Sequence, residues 1–370
     1  MRSYEHLETR SDYDLVTIPM RLALCYKNFA ANANISHIGL GVSALNTAKV
    51  LKRHGIAVSA FAINSILDLE NFLTNNPDTT HVVIAAAWLP ELPLGHLVCK
   101  FPKIEFAVNI HSNVGFLQAD ARGVELLGKY IHLQKELLNF RVSGNSRQFV
   151  DWLSEAYRTE AQFLPNLYAL DSSVPTARPL YNGGVLKIGA FGAARPLKNF
   201  MTAAGAAIVI AKQLHVPVEF WMNGGRREDA GCIEHAIETL CRTSHSVTLK
   251  ILNWQAWPDF LDLIETLHLM IQMSYTESFN LVTADGISCG VPSVVSKAIN
   301  WVPERWIAHS DDALDVARVG RSLIYDPYAI QDGVKMLEGY NSNGVNAWED
   351  FLELDPVKFV SGVSTSAIRR

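Results

Sequence analysis

Short, nearly continuous apolar runs alternate along this chain with longer segments in which apolar residues recur every three or four positions. In the first half the runs are RLALCYK (21–27), AVSAFAI (57–63), HVVIAAAW (81–88), IEFAVNI (104–110) and FRVSG (140–144). They are apolar throughout and not on alternate positions only, which predicts strands buried on both faces, as in a parallel sheet covered by helices. Between the first two lies VSALNTAKVLKRHG, where Val42, Leu45, Ala48 and Leu51 fall on one helical face and Gly55 supplies a stop. Strand, helix, strand in that order begins a βαβ unit.

The stretch DSSVPTARPLYNGG (171–184) concentrates Ser, Pro and Gly and reads as a linker. A second alternating series follows: LKIGAFG (186–192), VEFWMNG (218–224), SVTLKIL (246–252), LHLMIQM (267–273) and SVVSK (293–297), with helices such as NFMTAAGAAIVIAKQLH (199–215) between them. The pattern predicts an α/β chain with two doubly wound domains, residues 1–175 and 176–345, and a helical segment over 346–370. Such a pair places a cleft at the carboxyl ends of both sheets, where these folds bind ligands. The length of 370 residues agrees, since a single core rarely grows past ~250 residues.

Composition removes several functions. A net charge of −5 and a pI near 6.2 give no overall electrostatic footprint for nucleic acid, leaving only a local basic groove open. No apolar stretch reaches the ~18 residues of a membrane-spanning helix, and the opening MRSYEHLETRSDYD is too charged for a signal peptide, so a cytoplasmic location is expected. The five cysteines are odd in number and scattered without CxxC spacing, so they are expected to be mostly small core residues and not disulfides or zinc ligands. The single Asp-x-Asp, Asp12-Tyr13-Asp14, precedes the first strand among polar residues and reads as a solvated tail. No metal and no separate cofactor are expected.

Three stretches carry candidate chemistry. In ESFNLVTAD (277–285) a carboxylate follows an apolar run directly and a second stands eight positions on. A helix starting near Ser278–Asn280 puts Glu277 at the strand's carboxyl end and Asp285 about two turns along, so that the two acids grip separate parts of one ligand. The free amides of that helix start suit an anion. In GAFGAARPLKNF (189–200) a strand ends in small residues and two cations, Arg195 and Lys198, precede a helix. That charge suits a diphosphate leaving group, on which negative charge builds as a glycosidic bond breaks. NISHIGLGVSA (34–44) has a G-x-G-x-x-A core, yet eleven residues separate Lys27 from Gly39 and no acid ends the second strand at Asn64, which argues against a nicotinamide fingerprint. Gly39 and Gly41 then read either as backbone that approaches a phosphate or sugar, or as a plain turn into a helix.

With these residues in view, ESFNLVTADGISCGVPSVVS resembles the donor-binding signature of retaining GT-B glycosyltransferases of the sucrose-synthase and mannosyltransferase-like group: Glu, seven residues, Glu, then a small-residue helix and Gly-x-Pro. The chain departs from it in having Asp285 for the second Glu, one methylene shorter, and Asn280 where Gly is common. The resemblance implies a GT-B fold, two Rossmann-like domains facing each other across a cleft, the first on the acceptor side and the second binding the nucleotide sugar. It implies a metal-independent hexosyl transfer, with retention, from a UDP- or GDP-linked sugar. Glu277 then meets sugar hydroxyls and Asp285 the ribose. The segment RPLKN, with Gly192 before it, is similar to the family's Gly, Arg and Lys loop. His111, at the tip of IEFAVNIHS, is placed near the transferred sugar with Asn113 beside it. WMNGG (221–225) resembles the turn next to the nucleotide, giving Asn223 and Gly224, while Ser278, Phe279 and Leu281 complete the donor set. FLPNLYALD (163–171) resembles the approach to the interdomain linker, and NAWEDFLEL (346–354) the helix that crosses back to the first domain, with Trp348 and Phe351 packing. The acceptor is open among a saccharide, a small molecule and a modified DNA base, with contacts expected on loops 28–38, 64–78 and 112–125. A phage-type DNA-base sugar transferase, a sugar-nucleotide epimerase and a non-catalytic sugar-nucleotide sensor are the alternatives.

Overall fold

Two separate six-stranded sheets carry the chain, and every strand pairing in them is parallel. The computed structural model describes residues 21–28, 38–171, 174, 180–224 and 231–353. Asp12 and Asp14, most of the loop 28–38, much of the linker and the chain after 353 lie outside the described residues.

The first sheet is built from β1 (Arg21–Lys27), β2 (Ala57–Ile63), β3 (His81–Ala85), β4 (Glu105–Ile110), β5 (Phe140–Gly144) and the short β6 (Gln162–Phe163), in the order β2-β1-β3-β4-β5-β6. Helices α1 (Ile38–Arg53), α2 (Ile66–Asn75), α3 (Glu91–Lys100), α4 (Val114–Leu117), α5 (Ala121–Glu136) and α6 (Arg147–Tyr157) make the crossovers. β3 and β4 are buried at every position, as their unbroken apolar runs require. The run 81–88 stops early as a strand because Ala86 turns to φ 68 and leads the chain off the sheet.

One expectation for α1 is overturned. Leu45 is 52% exposed, while Val42, Ala44, Ala48 and Leu51 are buried. The helix has a second covered side: Thr47 Oγ1 and Asn46 Oδ1 accept the backbone N–H groups of Leu167 and Ala169. The linker approach therefore occupies the polar flank of α1 and rotates the buried arc away from Leu45.

The second sheet contains β7 (Leu186–Ala190), β8 (Val218–Asn223), β9 (Val247–Leu252), β10 (Leu269–Gln272), β11 (Ser293–Ser296) and β12 (Ile307–Ala308), ordered β12-β11-β10-β7-β8-β9. Its helices are α7 (Phe200–Leu214), α8 (Gly231–Ser244), α9 (Trp257–Glu265), α10 (Leu281–Ser288), α11 (Ala313–Ile324) and α12 (Ala329–Leu352). α10 lies close on β10 because Gly286 has no side chain; a Cβ there would stand 2.2 Å from Met270 Cε and 2.9 Å from the Val291 carbonyl oxygen. α12 is one 24-residue helix that serves both cores. Ala329 and Leu337 pack in the second, and Val345, Trp348, Phe351 and Leu352 pack in the first. Trp348 Nε1 donates to the Pro165 carbonyl at 2.9 Å. A cut at 345/346 thus falls inside a continuous helix.

All five cysteines are free; Cys25 and Cys241 are buried, Cys289 is half-buried, and Cys99 and Cys232 are exposed, so the core role expected of most of them holds for only part of the set. Among the described residues no helix is long and apolar enough to cross a membrane.

Candidate functional site

Beyond β10 the chain turns through residues 273–280 before α10 begins at Leu281. Asn280 makes that turn at φ 71, a conformation that Asn tolerates better than other residues with a side chain. Its Oδ1 caps the helix by accepting from Thr283 N at 2.9 Å, and its Nδ2 donates to Glu277 Oε1 at 3.0 Å. The same carboxylate oxygen pairs with Lys198 Nζ, carried on the short turn Pro196–Lys198 that follows β7. Burial by itself pushes the Glu277 carboxyl up, but Lys198 and the hydrogen bond from Asn280 outweigh it and hold the group below its ordinary value. Glu277 is therefore a buried carboxylate at neutral pH.

The tip of β4 meets this acid from the other domain. Asn113 Nδ2 donates to the backbone carbonyl of Glu277 at 2.5 Å, and Asn113 Oδ1 accepts from Ser146 Oγ at 2.5 Å. Ser278 Oγ donates to the His111 carbonyl at 3.3 Å. The Arg195 guanidinium lies 4.6 Å from the ring centre of Phe116 in α4. Burial pushes the His111 imidazole down to about 4, so it is neutral at physiological pH, and its Nε2 has no hydrogen-bond partner among the described residues.

A cavity of about 200 Å³ opens beside these groups, between α1 of the first domain and the strand tips of the second. Gly192, Arg195, Lys198 and Asn223 form one wall, with Gly39 and Val42 contributed by α1. Gly192 sits at φ +128, where its N–H donates to Asn223 Oδ1 at 3.0 Å. Another part of the wall is Trp254, Gln255, Trp257 and Phe260, from the chain after β9. Asp285 reaches the same cavity but is only 3% exposed. Its Oδ1 accepts from Tyr168 Oη at 2.8 Å and Trp257 Nε1 at 3.0 Å. Burial pushes its carboxyl up to about 7 in spite of those two donors.

Of the residues singled out in the sequence, the cavity wall gathers Gly39, Gly192, Arg195, Lys198, Asn223, Leu281 and Asp285, and Glu277 is tied to it through Lys198. Others are placed differently. A Cβ on Gly41 would meet the Tyr26 ring at 3.1 Å, and one on Gly224 would meet Ile251 Cγ2 at 2.3 Å, so both glycines admit packing neighbours and neither lines the cavity. Phe279 is 2% exposed and stacks on Trp301 with centres 4.9 Å apart, inside the second core. Asn113, Ser278 and Asn280 spend their side-chain hydrogen bonds within the protein. The segment NWQAWPDF (253–260) was missed, although it follows an apolar run at the carboxyl end of a strand, the same position that marks Glu277. Among the described residues no group of three or more His, Cys, Asp or Glu side chains could hold a metal ion.

Residues 147–299, which include Arg195, Lys198, Gln255, Glu277 and Asp285, match the family model described as Family 4 Glycosyltransferase in conflict systems. No curated protein matches the chain by sequence. Among solved structures, Anabaena HepE in complex with UDP-glucose superposes with a TM-score of 0.60 at 14% identity, covering 92% of this chain and 99% of that one. The fold is GT-B. A UDP-forming α,α-trehalose-phosphate synthase from Burkholderia xenovorans gives a TM-score of 0.58 at 10% identity, over 92% of this chain and 99% of that one. S. aureus TarM, in a complex containing UDP, gives 0.54 at 13% identity over 78% of this chain, which spans 59% of TarM's length. In this GT-B arrangement the cavity occupies the interdomain cleft, with the Lys198–Glu277 pair on its second-domain side.

Proposed function

We propose that the protein is a glycosyltransferase that moves a hexose from a UDP-linked sugar to an acceptor hydroxyl with retention of configuration. The observation that carries the reading is the buried Lys198–Glu277 pair, whose lysine lines an interdomain cavity together with Arg195. UDP is favoured over GDP because the structural relatives include proteins bound to UDP or UDP-glucose.

Arg195 and Lys198 meet the diphosphate, where negative charge grows as the bond from the sugar carbon to phosphate oxygen breaks. Lys198 has three N–H donors, so its contact with Glu277 leaves others for phosphate. Ionised Glu277 accepts hydrogen bonds from sugar hydroxyls and favours the positive charge developing on the ring. Asp285 accepts from a ribose hydroxyl through Oδ2, which makes no hydrogen bond among the described residues. The acceptor oxygen bonds to the sugar carbon on the face the diphosphate leaves, and the acceptor proton passes to a departing phosphate oxygen. Neutral His111 contributes a hydrogen bond to the sugar and no proton.

Purified protein is to be incubated with UDP-glucose and UDP-N-acetylglucosamine while UDP release is followed. Slow donor hydrolysis that Glu277→Ala and Arg195→Ala abolish supports the reading. Binding without turnover identifies a sensor, isomerised donor an epimerase, and no binding to any nucleotide sugar sinks the proposal.

A further inference from the structure

Gln255 stands on the cavity wall just past β9, the edge strand of the second sheet. Arg195 and Lys198 follow β7, two strands away, which at ~4.8 Å per strand separates the two positions by about 10 Å. The Gln255 Oε1 atom is buried and accepts no hydrogen bond among the described residues. Of the other side-chain acceptors on the wall, Asn223 Oδ1 takes the Gly192 N–H and Asp285 Oδ1 takes Tyr168 and Trp257, which leaves Asp285 Oδ2 and Gln255 Oε1 open to a ligand. A buried acceptor left unmet costs ~1–3 kcal/mol, so its place on the cavity wall points to a donor brought by the ligand. Trp254, which is 37% exposed, and Trp257 flank Gln255 in sequence and line the same cavity, offering flat apolar faces to a planar ring.

We infer that Gln255 reads the base of the nucleotide. Oε1 accepts a ring N–H and Nε2 donates to the adjacent carbonyl, the pair of groups that uracil presents at N3 and O4. The inference rests on the UDP-sugar reading of the cavity and adds to it the residue that recognises the base. Diphosphate at the Arg195–Lys198 end and base at the Gln255 end then lie along one wall, with Asp285 on the same cavity for the ribose.

The test is calorimetric binding of UDP and of UDP methylated at N3, to the wild-type protein and to Gln255→Leu, a substitution of similar size without the amide. Wild type is expected to bind the methylated nucleotide about tenfold more weakly, the worth of one hydrogen bond of ~1.4 kcal/mol. Gln255→Leu is expected to bind both nucleotides alike, at the weaker level. Equal affinity of wild type for the two nucleotides overturns the inference without any variant. So does a methyl penalty that persists undiminished in Gln255→Leu. If wild type binds no UDP at all, the UDP-sugar reading itself falls; if it binds UDP and the two perturbations simply add, only the role of Gln255 falls.

Discussion

Replacing Lys198 by Met would strand Glu277 as a buried carboxylate without its cation. The two side chains are 12% and 11% exposed, so water is poorly placed to take over the solvation. Removing one member of such a buried pair costs ~3–5 kcal/mol, whereas an exposed pair is worth ~0–1 kcal/mol. The hydrogen bond from Asn280 survives the substitution and sets the expectation at the low end, about 3 kcal/mol at pH 7.5. The pH dependence has a definite sign. In the wild type Glu277 titrates below its ordinary 4.5, so its stabilisation is present above that value and is lost as pH falls through the lower folded one. In Lys198→Met burial is no longer outweighed and the carboxyl rises above 4.5. The variant then gains stability relative to wild type as pH falls from 7.5 to 5. Urea unfolding at both pH values, followed by tryptophan fluorescence, measures the gap. Lys198→Met combined with Glu277→Gln removes both charges and should recover most of the loss at pH 7.5. A gap that does not change with pH, or a double variant no better than the single one, would refute this account of the pair.

The Asp285 carboxyl, raised from 3.8 to about 7, contributes stability that is complete below about 3.8 and lost as pH rises through 7, so wild type should lose ground to Asp285→Asn between pH 4 and 8 in the same unfolding assay. A ribose hydroxyl favours the ionised form, so UDP affinity should rise through pH 7 with release of a proton, detectable by calorimetry in buffers of different ionisation enthalpy and absent in Asp285→Asn. Phe116→Leu removes the ring under Arg195, an interaction of ~0.5–2 kcal/mol, and should raise the donor KM severalfold with a smaller change in kcat, while Phe116→Trp restores it; equal effects of Leu and Trp would count against the stack. Gly286→Ala forces a methyl against Met270 and the Val291 carbonyl and should destabilise by ~1–3 kcal/mol in urea, with no measurable loss pointing to a looser seat for α10.

Much of the architecture was legible along the chain because each strand and helix displays its own periodicity. The runs 105–110 and 81–85 are apolar without interruption and proved buried on both faces, and Glu277, Arg195 and Lys198 were conspicuous as charges set directly after such runs. Periodicity says which face of an element is buried, and nothing about what arrives to bury it. Leu45 follows the apolar spacing of its helix yet lies exposed, because the covering is decided by a linker more than a hundred residues away, as the Leu167–Thr47 bond across 120 positions shows. The site is non-local in the same way. Lys198 and Glu277 are 79 residues apart, Tyr168 and Asp285 are 117 apart, and the pairing that keeps Glu277 ionised and the burial that raises Asp285 exist only once both sheets and the linker are in place. A carboxylate's position can be read from one strand end; its protonation depends on burial and partners, and those are properties of the assembled fold.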